Sequence, residues 1–239
     1  MKSILTFTAL SFIGITAHAA SLVVPATTNI FGAGHTAPND TPAPSGGGGG
    51  TAPLVFNFTA QPGQVLTFSS VSGTVQYSGS VGATGPDGGI SSLNIFSFNG
   101  IAGITAPVLG HLSGVFLDST EPTDPSPARL NFTTLGTNFT TLAPLLRQVF
   151  FIGDGLTGTG TGAIQQFQVP STATRLYLGF ADGIQTDNLP GGYANNTGTV
   201  SATFQIVPEP TTLTLVSAIA TAACGLSRRR SLRTHERNG

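Results

Sequence analysis

Two stretches of sequence decide the fold: R-L-Y-L-G-F at residues 175–180 and T-V-S-A-T-F-Q-I at residues 199–206. In both stretches, apolar side chains alternate with polar or small ones at a period of two. This alternation is typical of β-strands with one buried and one solvated face. The stretches therefore predict two half-buried strands. The segment between them is predicted to be a loop at one end of a sheet, where binding residues are commonly displayed.

Outward from these two strands, short apolar segments alternate with turn residues, and the chain holds 32 Gly, 16 Pro and 16 Phe. Many short strands with closely spaced turns predict an all-β fold, a jelly-roll or Greek-key sandwich over residues 54–207 with Phe and Leu in its core. The predicted strands cover residues 54–59, 65–68, 71–77, 93–98, 101–108, 112–117, 130–132, 148–152, 163–169, 175–180 and 199–206.

Three local features carry their own predictions. Gly73 interrupts a strand pattern and is predicted to form a β-bulge. His111 stands at the start of a strand and is predicted to be a surface residue at the strand edge. Residues 142–147 are apolar and favour one helical turn, interrupted at Pro144.

The loop between the two opening strands is rich in hard oxygen donors. It contains Asp182, Asp187, Asn188, Asn195 and Asn196, and no His or Cys lies nearby. Oxygen-only clusters suit calcium rather than zinc or copper. The same residue types also form ordinary turns, and composition alone favours that second interpretation.

The motif P-G-G-Y-A-N-N-T-G-T-V-S at residues 190–201 resembles the C-terminal calcium loop of the calcium-dependent galactophilic bacterial lectins. In that family an Asp precedes the motif, and the Asp, both Asn side chains and one backbone carbonyl bind calcium. The resemblance implies that Asp182, Asn195, Asn196 and the carbonyl of Gly192 are metal ligands here. It also implies that sugar hydroxyls complete the coordination of the ion.

Two upstream segments extend the resemblance over most of residues 54–207. Tyr77, in V-Q-Y-S-G, matches a family tyrosine that binds the ion through its carbonyl. The segment G-P-D-G at residues 85–88 resembles the family's G-P-x-G loop. The resemblance therefore implies a ligand-binding role for Asp87 together with Asp182 and Asn195.

The sequence departs from the lectin pattern at two places. Seven residues separate Asp182 from Pro190, where the family has one, so Asp187 or Asn188 is expected to replace or add a ligand. The family also contacts galactose through a His and a Gln after the G-P loop, but residues 89–94 contain no His. The calcium site is therefore expected to persist without galactose specificity.

The N-terminus has the pattern of a secretory signal peptide over residues 1–19. Lys2 is followed by a short apolar core and by A-H-A at residues 17–19, which predicts export and cleavage by signal peptidase after Ala19. Residues 20–53 are predicted to hold an edge strand at L-V-V-P, residues 22–25. A flexible Gly/Pro-rich insert with nothing to bury is predicted over residues 32–53.

The C-terminus combines P-E-P, an apolar stretch over residues 211–226 and a cluster of arginines. This order closely resembles the PEP-CTERM sorting signal of Gram-negative bacteria, here at residues 208–232 with a cytoplasmic tail at 233–239. The resemblance implies transient insertion in the inner membrane through a short apolar helix, removal by exosortase, and delivery to the cell surface or extracellular matrix. The residues of the signal are Pro208, Glu209, Pro210, Arg228, Arg229 and Arg230.

Charge argues against nucleic-acid binding. Between residues 21 and 207 the chain carries three arginines, no lysine and eight acidic residues. Nucleic-acid binding requires a high density of basic residues. No nucleic-acid partner is therefore expected.

Signals for catalysis are weak. No G-x-S-x-G motif is present, and Cys224 lies in the C-terminal segment. Asp118, Glu121 and Asp124 form an acidic loop that could serve glycoside hydrolysis only if two carboxylates converged on a cleft. G-D-G at residues 153–155 is of a type found in calcium-binding repeats. It occurs only once, so the sequence does not support a repeat of that kind.

The resemblance to the lectins implies a non-enzymatic, calcium-dependent carbohydrate-binding module that binds extracellular polysaccharide or glycan. A structural surface or biofilm-matrix protein without sugar binding is the alternative. A glycoside hydrolase is the third possibility.

Overall fold

The structure is a computed structural model that describes residues 18–36, 49–77, 82–89, 91–183 and 189–208. The predicted signal peptide up to residue 17, most of the predicted Gly/Pro-rich insert and the predicted sorting signal from Glu209 onward lie outside the described residues. Asp187 and Asn188 lie outside them too. None of the described helices is long and apolar enough to cross a membrane.

The described residues form mainly short strands, with one α-helical turn, α1 (Phe132–Leu135), and 3-10 helices at Ile30–Gly32 and Tyr193–Asn195. The strands are β1 (His18–Pro25), β2 (Leu54–Asn57), β3 (Gln64–Gln76), β4 (Leu93–Ile95), β5 (Ile104–Ala106), β6 (Ser113–Leu117), β7 (Leu130–Asn131), β8 (Thr141–Leu142), β9 (Val149–Phe151), β10 (Leu156–Gly158), β11 (Thr161–Ile164), β12 (Gln166–Gln168), β13 (Arg175–Gly179) and β14 (Thr197–Pro208).

Two main sheets pack face to face, with strand orders β1-β14-β3-β12-β8 and β2-β13-β6-β9. Aromatic rings fill the space between them. Phe56 of β2 lies edge-on to Phe204 of β14 at 5.3 Å between ring centroids, and Phe150 of β9 lies 5.1 Å from Phe167 of β12. Such contacts between facing sheets define a sandwich core. The predicted all-β sandwich is confirmed.

The longest ladder joins β14 to β3, from the pair Thr197–Gln76 to the pair Pro208–Gln64. Along β14 the residues Val200, Ala202, Phe204 and Ile206 are buried and their neighbours mostly exposed, as the alternation predicts. β3 is one continuous strand, where the sequence suggested two.

The predicted bulge at Gly73 is wrong. Gly73 pairs directly with Val200, and the register shifts instead between Thr203 and Phe204, opposite Ser69. Glycine is required at position 73 for a different reason. A Cβ there would lie only 2.2 Å from the carbonyl oxygen of Thr199.

The helical turn predicted over residues 142–147 is also wrong. Leu142 instead pairs with Phe167 in a parallel ladder, and the Gln148 side chain accepts a hydrogen bond from the Leu145 N–H at 2.8 Å. The segment ends at Arg147, whose φ of 66° is left-handed and incompatible with a right-handed helix. Long-range pairing therefore overrides the local helical preference.

Two further boundaries differ from prediction. The described start of the insert predicted over residues 32–53 is not free of core contacts, because Ala33 is fully buried and belongs to the same core cluster as the preceding Ile30 and Phe31. The strand predicted over residues 130–132 ends at Asn131, whose side chain accepts from the Thr133 N–H and caps α1.

The sandwich has two distinct ends. At one end, which we name the loop rim, β13 finishes at Gly179, β6 begins at Ser113 and β14 begins at Thr197. At the other end, the terminal rim, His18 of β1 pairs with Ile206 and β14 finishes at Pro208. Both termini of the described sandwich thus lie at the end opposite the predicted calcium loop.

Candidate functional site

Asp182 is the central residue of the loop rim, two residues after the bridge residue Phe180. Its side chain is only 6% exposed. The Gly183 N–H donates to Oδ1 at 2.7 Å, and the Asn196 amide donates from Nδ2 to Oδ2 at 2.8 Å. Burial raises the pKa of Asp182 to about 6, although the hydrogen bonds from Asn196 and Gly183 act in the opposite direction.

Tyr193 fixes the backbone on which Asp182 stands. Its ring is fully buried, and its hydroxyl accepts from the Asp182 N–H at 3.1 Å and donates to the Phe180 carbonyl at 3.2 Å. The Gly191 N–H donates to the Asp182 carbonyl at 3.1 Å. Sequence reasoning assigned no role to Tyr193, although a large aromatic residue within a Gly/Asn-rich loop is itself an indication of anchoring.

Two oxygens near Asp182 are buried without a hydrogen-bond partner among the described residues: Asn196 Oδ1 and the Tyr77 hydroxyl. Leaving a buried polar atom unsatisfied costs about 1–3 kcal/mol. Burial raises the pKa of Tyr77, and the charge of Asp182 raises it further, so these two side chains interact electrostatically. Native structures normally satisfy such atoms with protein, water or an ion.

Gly192 brings backbone close to the carboxylate. Its φ of 81° is left-handed, and a Cβ placed on it would lie 3.5 Å from Asp182 Oδ2 and 3.3 Å from the Gly183 carbonyl oxygen. A side chain at this position would therefore be strained and would narrow the space in front of Asp182.

The structure brings together four of the five residues predicted to bind the metal: Asp182, Asn196, Gly192 and Tyr77. For Tyr77, the resemblance implied a role for the carbonyl, whereas the interaction with Asp182 in the structure is electrostatic and acts on the phenol hydroxyl. Asn195 lies in the Tyr193–Asn195 helix with its side chain exposed, and among the described residues it makes no hydrogen bond to Asp182.

These oxygen donors fit calcium in type. One buried carboxylate, an amide oxygen without a partner and nearby backbone are the groups that hard cations accept. Turning the Asn196 amide by 180° would set its Oδ1 beside Asp182 Oδ2. In that orientation the Asn196 and Asp182 oxygens would repel each other unless a cation lay between them.

Asp87 lies in a separate cluster. Its Oδ1 accepts from the Asp154 N–H at 2.8 Å, and the Thr159 side chain also hydrogen-bonds to it. Burial raises the pKa of Asp87, and the hydrogen bond from Asp154 lowers it by a smaller amount. The predicted grouping of Asp87 with Asp182 is thus not seen in these contacts.

The predicted surface position of His111 is wrong. The residue is 1% exposed, its Nδ1 lies 3.1 Å from the Val108 carbonyl oxygen, and its ring lies 4.7 Å from that of Phe151. Burial lowers the pKa of His111 to about 4, because the imidazolium cation would lose its hydration. A backbone bridge pairs His111 with Asp87. The chain around Asp87 therefore lies against the segment that leads into β6, and His111 is buried there.

The acidic loop lies at the terminal rim, and its three carboxylates have different partners. Asp124 accepts from the Gly100 N–H, Glu121 lies 3.2 Å from His35, and Asp118 accepts from Thr120. The hydrogen bonds from Thr120 lower the pKa of Asp118. A lowered pKa suits a permanently ionised group and not a general acid.

Within the described ranges, no group of three or more His, Cys, Asp or Glu side chains is arranged to hold a metal ion. The Asp182 cluster consists of one carboxylate with amide, phenol and backbone groups. In comparisons with known proteins, the chain matches no protein-family model, no curated protein and no solved structure. The fold and the local geometry of this all-β sandwich are therefore the basis for a functional assignment.

Proposed function

We propose that this chain is a non-enzymatic, calcium-dependent carbohydrate-binding protein whose binding site is the Asp182 cluster at the loop rim. The observation that carries the proposal is the buried Asp182 carboxylate, which accepts from an Asn196 amide whose own Oδ1, like the nearby Tyr77 hydroxyl, has no partner among the described residues. A cation bound at Asp182 would compensate the buried carboxylate and, with the Asn196 amide turned by 180°, Asn196 Oδ1 as well.

Each residue has a defined part in the proposal. Asp182 supplies the negative charge, Asn196 an amide oxygen, and Gly192 leaves the space in front of the carboxylate free of a side chain. Tyr193 holds the Asp182 backbone in place through two hydrogen bonds. Bound calcium would supply open coordination positions for sugar hydroxyls. With one carboxylate, the expected calcium affinity is weak, about 10⁻⁴–10⁻³ M, as in extracellular modules.

The arrangement of the two rims supports an exported, surface-displayed protein. The described strands nearest the signal peptide and the sorting signal end at the terminal rim, where His18 pairs with Ile206. The Asp182 cluster lies at the other end of β14, a strand of twelve residues. A strand of this length spans about 40 Å at 3.3 Å per residue. A membrane-linked intermediate would therefore hold the site away from the membrane.

The experiment is binding of the mature chain, residues 20–208, to immobilised neutral monosaccharides with calcium and with excess chelator. Binding that requires calcium and disappears in Asp182→Asn supports the proposal. Calcium binding without any monosaccharide binding would favour the rival function, a structural matrix protein in which the ion only stiffens the loop.

A further inference from the structure

A concave site lies at the loop rim, and its lining residues do not include those of the Asp182 cluster. It is a cavity of about 140 Å³ lined in part by Asp87, Val108, Asn138, Phe151 and Thr157. For scale, a cavity of about 150 Å³ in a protein core accepts one benzene-sized ring. The volume therefore suits a single six-membered ring with its substituents reaching the opening.

The walls of this cavity combine one apolar side with one hydroxyl- and amide-rich side. Val108 and Phe151 form apolar surface, and Phe151 is 3% exposed. Asn138 and Thr157 are neutral hydrogen-bonding groups, and Asp87 is a half-buried carboxylate held in place by the Asp154 N–H. A few fixed polar groups against an apolar wall are the usual features of a small-ligand site.

The charges on these walls narrow the class of ligand. Among the described residues that line the cavity none is basic, and Asp87 would repel an anionic ligand. The neighbouring Asp154 uses both carboxylate oxygens within its own hairpin, accepting from the Leu156 N–H and the Gly160 N–H. Asp87 accepts from the Asp154 N–H and the Thr159 side chain also hydrogen-bonds to it, but a carboxylate has about four acceptor positions, so capacity remains to accept from a ligand hydroxyl group.

A larger groove adjoins the cavity. It has a volume of about 490 Å³, shares Thr137 and Asn138 with the cavity, and carries the 52% exposed side chain of Leu135. The lining residues of this groove that the structure describes carry no charge either. A chain of uncharged rings entering the cavity at one end would therefore continue along the groove without meeting unpaired charge.

We propose that the cavity at Asp87 and Asn138 is a second carbohydrate subsite that holds one ring of a neutral oligosaccharide, with the neighbouring rings in the adjoining groove. This subsite does not use Asp182 and requires no metal. The inference rests on the proposed function only for the class of ligand, so the two sites are testable separately.

The test is titration of the mature chain with neutral tetrasaccharides of glucose and of mannose, in excess chelator, which removes any contribution of calcium. The unsubstituted protein is expected to bind at least one tetrasaccharide, at least tenfold more tightly than the corresponding monosaccharide. Asp87→Asn retains an acceptor for the Asp154 N–H but loses the charge. Asn138→Ala removes an exposed amide. Each variant is expected to lose at least tenfold in tetrasaccharide affinity.

Thr134→Ala is the matched control, because Thr134 is exposed on α1 and lines neither the cavity nor the groove. Its tetrasaccharide affinity should equal that of the unsubstituted chain. The inference is overturned if no tetrasaccharide binds in chelator, or if Asp87→Asn and Asn138→Ala both bind like the control. Calcium-dependent monosaccharide binding is measured separately and reports on the Asp182 cluster alone.

Discussion

The Asn196 amide donates to Asp182 at 2.8 Å between Nδ2 and Oδ2, although fourteen positions separate the two residues in sequence. This hydrogen bond joins the end of β13 to the start of β14 and closes the loop between them. With the amide in this orientation, Asn196 Oδ1 is buried and has no hydrogen-bond partner among the described residues. The same pair therefore stabilises the loop in the absence of metal, and under the proposed function it would gain further from binding calcium.

The adjacent asparagines should behave differently when each is replaced by alanine. In chelator, Asn196→Ala is expected to lower the free energy of unfolding by about 1–3 kcal/mol, because Asp182 loses a buried donor. Asn195→Ala is expected to change it by less than about 0.5 kcal/mol, because the side chain is exposed. Urea unfolding measures both. Calcium titration then tests whether Asn195 is a ligand, as the lectin resemblance implies; unchanged calcium affinity in Asn195→Ala would remove it from the ligand set.

Two buried tyrosines offer the same chemical deletion with opposite expected outcomes. Tyr193→Phe removes a hydroxyl that both accepts and donates, and is expected to destabilise the chain by about 1–3 kcal/mol. Tyr77→Phe removes a buried hydroxyl without a partner among the described residues, and is expected to be neutral or stabilising in chelator. Thermal unfolding of both variants makes the comparison. Equal losses in the two would contradict the proposed anchoring role of Tyr193.

Asp182 should make the metal-free protein less stable as pH rises. Its pKa is about 6 in the folded protein against an ordinary 3.8, so the folded state binds the proton more tightly. The resulting stabilisation is complete below pH 3.8 and is lost as pH rises through about 6. Its size is on the order of 3 kcal/mol, from 1.36 kcal/mol per unit of pKa.

Asp182→Asn should remove this contribution. The difference in free energy of unfolding between the unsubstituted chain and the variant, followed from pH 4 to pH 7 in chelator, should therefore fall with pH. A difference that stays constant across this range would show that Asp182 ionises freely. In calcium the decline should be smaller, because the ion compensates the charge.

His111 should make the protein more stable as pH rises, opposite to Asp182, over a pH range that overlaps with that of Asp182. Its pKa is lowered from 6.5 to about 4, so its contribution to stability is present above pH 6.5 and is lost as pH falls toward 4. The free energy of unfolding of His111→Gln, relative to that of the unsubstituted chain, should therefore be higher at pH 5 than at pH 7. Unfolding curves at the two pH values provide the measurement, and equal differences at both would argue that the imidazole is not buried.

The strands at 175–180 and 199–206 were predictable because each obeys its local alternation, and each has a regular partner in the structure. The bulge was predicted at Gly73 but lies at Ser69. A register shift depends on both strands of a ladder, and the sequence of one strand alone does not determine it. The buried position of His111 depends on a bridge to Asp87, which is a long-range contact with no local signal.

The candidate site was predictable in part. The spacing of the P-G-G-Y-A-N-N motif and the preceding Asp182 identified residues that the folded chain does bring together. Sequence could not separate Asn195 from Asn196, because the 3-10 helix at Tyr193–Asn195 turns one outward and leaves the other buried. The cavity at Asp87 was not foreseen as a separate site, because it is assembled from segments as distant in sequence as residues 87 and 159.

Calorimetric titration of the chelator-treated mature chain with calcium chloride, alongside Asp182→Asn, tests the central claim most directly. The claim is that the Asp182 cluster is a calcium site. The unsubstituted chain is expected to bind one calcium ion with a Kd of about 10⁻⁴–10⁻³ M, and the variant to show no binding in that range while retaining its fold. Absence of calcium binding by the unsubstituted chain, or equal binding by the folded variant, would contradict the account.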